Sequence, residues 1–162
     1  MKNLLVAVDF SKTTDAVVEQ SAKLAKAIPD SKLWVVHVAS DESPVMIYET
    51  SQFTGYAPEL SSMPGDVQLA RDLSAEEIKR EHRELLNIST GLRAQGINAQ
   101  AMLLKGDASK LIAQKATELE AEIIILGSHG HGLLHKALLG SISESVMRQA
   151  DCNVMIVPAV KN

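Results

Sequence analysis

Five short apolar runs that alternate with helical patterns constrain the fold of this 162-residue chain more than any other feature. The runs are rich in Val, Ile, Leu and Ala, and they cover residues 3–8, 33–38, 97–103, 123–126 and 154–157. Strands that alternate with helices are typical of a parallel sheet covered by helices on both faces, with right-handed crossovers. The sequence therefore predicts a single α/β domain over residues 1–162.

Capping residues predict where the four helices begin. A hydroxyl or carboxylate side chain before a helix accepts hydrogen bonds from its first free amides, and Ser with Glu three residues later forms a capping box. The predicted starts are Ser11, Thr13 and Thr14, the box Ser74-Ala-Glu-Glu77, Asp107, and the box Ser141-Ile-Ser-Glu144. Residues from about 41 to 70 show no clear period, so we expect an irregular insertion there, either a cover over a site or a solvated segment.

Composition excludes several classes of protein. The net charge is −4 and Lys and Arg do not cluster, which argues against a nucleic-acid partner. Cys152 is the only cysteine, so an internal disulfide and a Cys-rich metal site are excluded, and we expect a buried structural thiol. The N-terminal apolar run is too short for a signal peptide or a membrane span, so we expect a cytoplasmic protein.

A glycine motif follows the fourth apolar run: Gly127-x-x-Gly130, nine residues, then Gly140-Ser141. Glycine lets the backbone approach a ligand closely, and a helix start offers unpaired N–H groups and the positive end of the helix dipole. The motif favours a phosphate-binding loop, and a flexible connection before an ordinary capped helix is the alternative. The Walker pattern is excluded because no Lys lies between Gly140 and Ser141, and the dinucleotide fingerprint because His135 stands where it needs Gly.

Asp9 and Ser11 follow the first apolar run, at the carboxyl end of the first predicted strand. In open α/β sheets, ligands bind at the carboxyl ends of the strands where the strand order reverses. An acid at this position can bind a ribose hydroxyl, whereas the alternative is that both residues simply cap the first helix. The residues alone leave both possibilities open.

Three of the five histidines, His129, His131 and His135, lie within seven residues. No Asp, Glu or Cys completes a metal-binding set nearby, so no metal site is predicted, and a histidine beside a phosphate is favoured. His37 lies inside the second apolar run, where we expect a core histidine that makes a hydrogen bond.

Taken together, these motifs resemble the universal stress protein family. The matching segments are Val6-Ala-Val-Asp9-x-Ser11, Val36-His-Val38, Gly106-Asp107, the glycine motif, and Cys152-Asn-Val-Met-Ile-Val-Pro158, with Asn153 where many members carry Pro. The resemblance covers essentially the whole chain, and the intact glycine motif indicates the ATP-binding branch. It implies a Rossmann-like fold of the adenine nucleotide alpha-hydrolase type, with an open five-stranded parallel sheet of order 3-2-1-4-5 and helices on both faces.

The resemblance also implies the site residues. Asp9 would bind the ribose, with Ser11 beside it, and Ala7 and Val38 would contact the adenine. Further residues would flank the ribose and the phosphates: Leu126, Gly127, His129, Gly130, Gly140, Ser141, Ile142 and Ser143. The ligand would be ATP, ADP or AMP, with Mg²⁺ or Mn²⁺ carried by the phosphates.

The expected function is that of an ATP-binding stress-response or regulatory protein, a homodimer built on residues 154–157, with no nucleic-acid or membrane partner. An uncapped apolar strand at a sheet edge invites pairing. We expect binding rather than rapid turnover, because the motifs supply no evident general base or arginine finger. Two alternatives remain. One is a slow ATPase or phosphoryl or nucleotidyl transferase on the same fold, and the other is a dimeric interaction protein that binds no nucleotide.

Overall fold

The structure, a computed structural model, describes residues 1–39, 65–129 and 139–159, with residues 65–74 described by their backbone alone. The strands are β1 (Lys2–Ala7), β2 (Ser31–Ala39), β3 (Ala99–Lys105), β4 (Ala121–Gly127) and β5 (Asn153–Val157). The helices are α1 (Thr14–Ala27), α2 (Gly65–Ala94), α3 (Ala108–Glu118) and α4 (Ser141–Gln149). Strands and helices alternate along the described chain, as predicted.

All five strands are parallel, and their order in the sheet is β3-β2-β1-β4-β5. The predicted topology is therefore confirmed. In the centre of the sheet, Val6 of β1 pairs with Val35 of β2 on one side and with Ile125 of β4 on the other. The chain leaves β1 toward one edge and β4 toward the other, so the strand order reverses between these two strands.

The sheet is buried on both faces. Successive side chains of a strand point to opposite faces. Leu4 accordingly belongs to a buried cluster with Val17 of α1, whereas Leu5 belongs to a second cluster with Ile112 of α3 and Val146 of α4. These clusters of aliphatic side chains match the low aromatic content of the sequence. No helix in the described part of the chain is long and apolar enough to cross a membrane.

The predicted start of α2 is wrong. The helix begins at Gly65 rather than at the box Ser74-Ala-Glu-Glu77, which lies in its interior. Residues 67–73, Val-Gln-Leu-Ala-Arg-Asp-Leu, contain several strong helix formers and no breaker, so the helix extends past the cap-like serine toward its N-terminus. Residues 65–70, the end of the predicted insertion, are thus helical, and the rest of that insertion lies outside the described residues.

Two predicted helix boundaries are confirmed. Gly96 follows α2 with a φ of +80°, a left-handed conformation that favours glycine, and its N–H donates to the carbonyl of Arg93. Asp107 caps α3, because its Oδ1 accepts hydrogen bonds from the Lys110 amide and the Ser109 hydroxyl, each at 2.9 Å. These bonds, led by the one from Lys110, lower the pKa of Asp107.

Cys152 lies just before β5 and is partly buried, with a free thiol. Burial, and after it the negative charge of Asp151, raise the pKa of this thiol. The thiol therefore stays protonated at neutral pH, where it is a poor nucleophile. This is compatible with the structural role predicted for it.

Candidate functional site

A cavity of about 300 Å³ opens at the carboxyl edge of the sheet, between β1 and β4. This is the position where the strand order reverses and where open α/β folds bind ligands. The lining brings together most of the predicted site residues: Ala7, Asp9, Val38, Leu126, Gly127, His129, Gly140, Ser141, Ile142 and Ser143. Gly130, His131 and His135 lie outside the described residues, and Ser11 is not part of the lining.

Asp9 has features of both roles considered for it, the binding of a ribose hydroxyl and the capping of the first helix. It lines the cavity, and its Oδ1 accepts hydrogen bonds from the Ser11 amide at 3.0 Å and the Thr14 hydroxyl at 3.4 Å. The Ser11 hydroxyl lies 2.9 Å from that of Thr13, on the side of α1. One carboxylate oxygen of Asp9 therefore holds the turn before α1, and Ser11 supports that turn rather than facing the cavity.

The backbone carbonyl groups at the end of β4 and the start of the following loop, those of residues 127–129, each accept a hydrogen bond. The Gly127 carbonyl accepts from the Ser143 hydroxyl at 2.7 Å, and the Ser128 carbonyl accepts from the Gly140 amide at 2.7 Å. The His129 carbonyl accepts from the Thr13 hydroxyl at 3.2 Å. An unpaired carbonyl oxygen repels an anion. Because all three carbonyl oxygens accept hydrogen bonds, the loop repels a phosphate less strongly.

Gly127 is required by the packing of α1 against the end of β4. A Cβ atom at this position would lie 3.1 Å from the Thr13 hydroxyl oxygen and 3.3 Å from a methyl group of Val17, both closer than ordinary contact. The sequence suggested that glycine here clears a path for a ligand. The structure shows that α1 occupies the space instead, which is the close helix–strand packing that such loops often need.

The start of α4 differs from the predicted capping box, which is wrong. Gly140 is the N-cap residue, and it has no side chain with which to cap the helix. The Ser143 hydroxyl is used by Gly127, and Glu144 forms an ion pair with Arg148 one turn along. The box fails because the helix begins one residue earlier than predicted, with Gly140 as N-cap and Ser141 already inside the first turn, and because the Glu144 side chain pairs with Arg148.

This arrangement determines which amides are free. The Gly140 amide is not, because it donates to Ser128, and the Glu144 amide closes the first turn by donating to the Gly140 carbonyl. The amides of residues 141–143 have no acceptor among the described residues, and all three residues line the cavity. Free amides at a helix start, where the helix dipole is positive, are well suited to bind an anion.

His37 lines the cavity, although the sequence suggested only a core position for it. The residue is 7% exposed, its Nδ1 lies 2.8 Å from the Val8 carbonyl, and its ring contacts the ring of Phe10 with centroids 4.4 Å apart. A carbonyl only accepts, so Nδ1 carries a proton. The predicted hydrogen-bonded core histidine is confirmed. Nε2 lies 3.3 Å from a carboxylate oxygen of Glu81, within ion-pair distance but without hydrogen-bond alignment.

Sequence reasoning missed further lining residues as well, among them Thr13, Val17, Val36 and Ile112. His37 could have been predicted as a lining residue, because it lies near the carboxyl end of β2, the strand that pairs with β1. Thr13 and Ile112 reach the cavity only through the packing of α1 and α3.

No group of three or more His, Cys, Asp or Glu residues that could hold a metal ion occurs in residues 1–39, 75–129 and 139–159.

Comparisons with known proteins agree with this architecture. The sequence model of the Universal stress protein family matches residues 1–158. Universal stress protein YxiE of Bacillus subtilis is 28% identical over 157 residues, which cover 95% of this chain and 97% of that protein. Among solved structures, universal stress protein UspA from Lactobacillus plantarum matches with a TM-score of 0.74 and 20% identity, covering 96% of this chain and 97% of UspA.

Two other structural relatives are complexes with nucleotides. A universal stress protein in complex with cAMP matches with a TM-score of 0.61 and 18% identity, covering 97% of this chain and 96% of its own. The universal stress protein from Archaeoglobus fulgidus in complex with dAMP has a TM-score of 0.57 and 18% identity, with 96% and 97% covered. At these identities the likeness shows a shared fold, while the family model covers nearly the whole sequence. The chain therefore belongs to the universal stress protein family.

Proposed function

We propose that this protein is an ATP-binding universal stress protein of the cytoplasm, which acts as a nucleotide-dependent regulatory binding protein. The observation that carries the proposal is the set of amides of residues 141–143, which have no acceptor among the described residues and belong to residues that line the cavity between β1 and β4. A cavity of about 300 Å³ lies within the range of small-molecule sites. The cAMP and dAMP complexes of two structural relatives support an adenine nucleotide as the ligand class.

The lining suits the parts of such a nucleotide. Ala7, Val38 and Ile112 offer an apolar surface for the adenine, and the carboxylate of Asp9 offers an acceptor for a ribose hydroxyl. The phosphates would lie against the first turn of α4, where the amides donate. Mg²⁺ or Mn²⁺ would be held by the phosphate oxygens of ATP, since Mg²⁺ is often bound mainly through substrate phosphates and water.

Binding without rapid turnover follows from the same lining. The ionisable side chains among the described lining residues are Asp9, His37 and His129, and no Lys or Arg is among them. Phosphoryl transfer is usually accelerated by such cations and by a positioned base. A phosphate-release assay with Mg²⁺ and ATP separates binding from a slow ATPase, and we expect release no faster than a few turnovers per hour.

The amide of Ser141, which has no acceptor in the part of the chain that the structure describes, can be removed by a single substitution. Gly140 has φ −61° and ψ 151°, the extended conformation that a residue before proline requires, and proline is well tolerated in the first turn of a helix. Ser141→Pro therefore removes one amide donor and leaves α4 intact. We expect the affinity for ATP, measured by titration calorimetry, to fall about tenfold or more, because a hydrogen bond to a charged acceptor is lost.

Ser141→Ala is the matched control, since it removes the hydroxyl and keeps the amide. This variant should bind ATP nearly as well as the wild type, and both variants should unfold at the wild-type temperature within a few degrees. An Ser141→Pro protein that is folded and binds ATP with unchanged affinity would show that the phosphates do not lie at the start of α4, and the proposed placement would be wrong.

The resemblance to the family also implies a dimer, and β5 is the strand on which we propose it. β5 forms one edge of the sheet, and the exposed side chains of Ile142 and Met147 belong to the helix just before it. An unpaired apolar edge is prone to pair with a second copy. Light scattering on the wild type at micromolar concentration should give twice the 17.5 kDa mass of one chain.

The wild-type mass is the decisive measurement for the dimer. Met155 and Ile156 both pack against the core clusters, so a charged residue at either position would also damage the fold. A mass of one chain across the micromolar range, with the protein folded, would contradict a dimer built on β5.

A further inference from the structure

Ser128, the first residue after β4, is buried and uses all of its polar groups. Its amide donates to the Val157 carbonyl at 2.8 Å, and its carbonyl accepts from the Gly140 amide at 2.7 Å. Its hydroxyl oxygen accepts from the Ala159 amide at 3.1 Å and lies 3.0 Å from Nδ1 of His129. One small side chain thus joins the chain beyond β5 to a histidine of the cavity.

Counting protons assigns the direction of the contact between Ser128 and His129. A serine hydroxyl has one proton to donate and two lone pairs to accept with, and the Ala159 amide already occupies one lone pair. His129 Nδ1 is the acceptor that the described residues offer to the hydroxyl proton. If the ring donated instead, the buried hydroxyl would lose its acceptor, which is unfavourable. The hydroxyl therefore donates to Nδ1, and the neutral ring carries its proton on Nε2.

The second ring nitrogen of His129, Nε2, carries the proton of the neutral ring. It is buried and has no hydrogen-bond partner among the described residues, while its residue lines the cavity. A buried N–H without an acceptor is costly, so this position favours a ligand that brings an oxygen. We propose that Ser128 is a positioning residue: it holds the imidazole of His129 in the Nε2–H tautomer, and Nε2–H donates to a phosphate oxygen of the bound nucleotide. This inference rests on the proposed function.

A donor fixed in this way confers specificity without needing a positive charge. A site with a buried donor discriminates against analogues that lack the matching acceptor, because the donor then stays unpaired. Adenosine lacks the phosphate and leaves Nε2–H unsatisfied, whereas ATP satisfies it. The Ser128–His129 pair should therefore raise the preference for nucleotide over nucleoside.

The tautomer can be measured without any ligand. Long-range ¹⁵N–¹H spectra of histidine side chains distinguish the protonated nitrogen from the bare one, and the His129→Gln variant identifies the signals of His129. We expect the Nε2–H tautomer in the wild type and in Ser128→Thr, which keeps the hydroxyl. In Ser128→Ala, we expect a mixture of both tautomers.

The affinities for ATP and adenosine test the donor. Ser128→Ala and His129→Leu should each lower the affinity for ATP about fivefold to tenfold and leave that for adenosine unchanged, since only ATP uses the donor. Ser128→Thr should retain most of the ATP affinity. His129→Gln should do so as well, because its amide N–H can replace Nε2–H. If Ser128→Ala is poorly folded, His129→Leu still decides, because it leaves the bond between Ser128 and Ala159 in place.

Each outcome separates this inference from the proposed function. An Nδ1–H tautomer in the wild type, or an Nε2–H tautomer unchanged in Ser128→Ala, overturns the role of Ser128. A ratio of ATP to adenosine affinity that is the same in wild type, Ser128→Ala and His129→Leu overturns the donor role of His129. A wild type with the Nε2–H tautomer that binds no adenine nucleotide overturns the proposed function itself.

Discussion

A valine at position 127 is expected to lower the free energy of unfolding by about 1–3 kcal/mol, the usual effect of overpacking a well-packed site, and to abolish nucleotide binding. The added Cβ alone would sit 3.1 Å from the Thr13 hydroxyl and 3.3 Å from Val17, and valine adds two methyl groups. Val17 is 2% exposed, and the Thr13 hydroxyl is held by the His129 carbonyl, so neither has room to retreat. Urea unfolding and ATP titration measure the two effects.

Gly127→Ala provides the graded control. Its single methyl group needs a shift of only a few tenths of an ångström, so its loss of stability should be the smaller of the two. Equal stability of the alanine and valine variants would contradict the close packing of α1 against the loop. A valine variant that is destabilised but still binds ATP with wild-type affinity would instead show that the position of the loop does not matter for the ligand.

Replacing Ile124 with alanine should have the largest effect on stability, about 2–5 kcal/mol, which is typical of truncating a buried Leu or Ile side chain. Ile124 is fully buried in β4, pairs with Leu5 of β1 and Val154 of β5, and packs in the cluster under α3 and α4. The cavity left by the truncation would lie between the sheet and the layer of α3 and α4, which cannot move together to fill it. Urea unfolding of the variant and the wild type measures the difference.

Glu122→Ala on the same strand is the control, because Glu122 is exposed and its side chain does not belong to the core. It should change the free energy of unfolding by less than about 0.5 kcal/mol. If Ile124→Ala were no more destabilising than Glu122→Ala, β4 could not be an interior strand of the sheet.

The order of elements could be predicted from the sequence because it depends on local patterns. The apolar runs, the helix stop at Gly96 and the helix cap at Asp107 are set by neighbouring residues, and they were confirmed. The capping box predicted for α4 was wrong for a different reason. Ser141 with Glu144 has the right spacing, but Gly140 takes the N-cap position and Glu144 pairs with Arg148. The Gly140 amide bonds to the Ser128 carbonyl, a contact that exists only once the loop is packed.

The residues of the site also fall into two groups, those that local patterns predict and those that only the packing of the fold brings to the cavity. Asp9 and the residues on either side of the glycine motif follow strands or precede a helix, so the fold brings them to one edge of the sheet. The hydroxyl of Thr13 reaches the His129 carbonyl across 116 residues of sequence, and His37 reaches the Val8 carbonyl across 29. Such contacts depend on how α1 and β2 lie against the loop, and no local pattern encodes them.

The three engaged carbonyl groups of residues 127–129 have a consequence for the thermodynamics of binding. Their donors are Ser143, Gly140 and Thr13, which come from α4, its N-cap and the turn before α1, so this part of the loop becomes ordered when the domain folds. Fixing the backbone of three residues costs roughly 3–6 kcal/mol of conformational entropy. Folding has already met that cost, so a ligand encounters a preorganised surface and keeps more of its interaction energy as affinity.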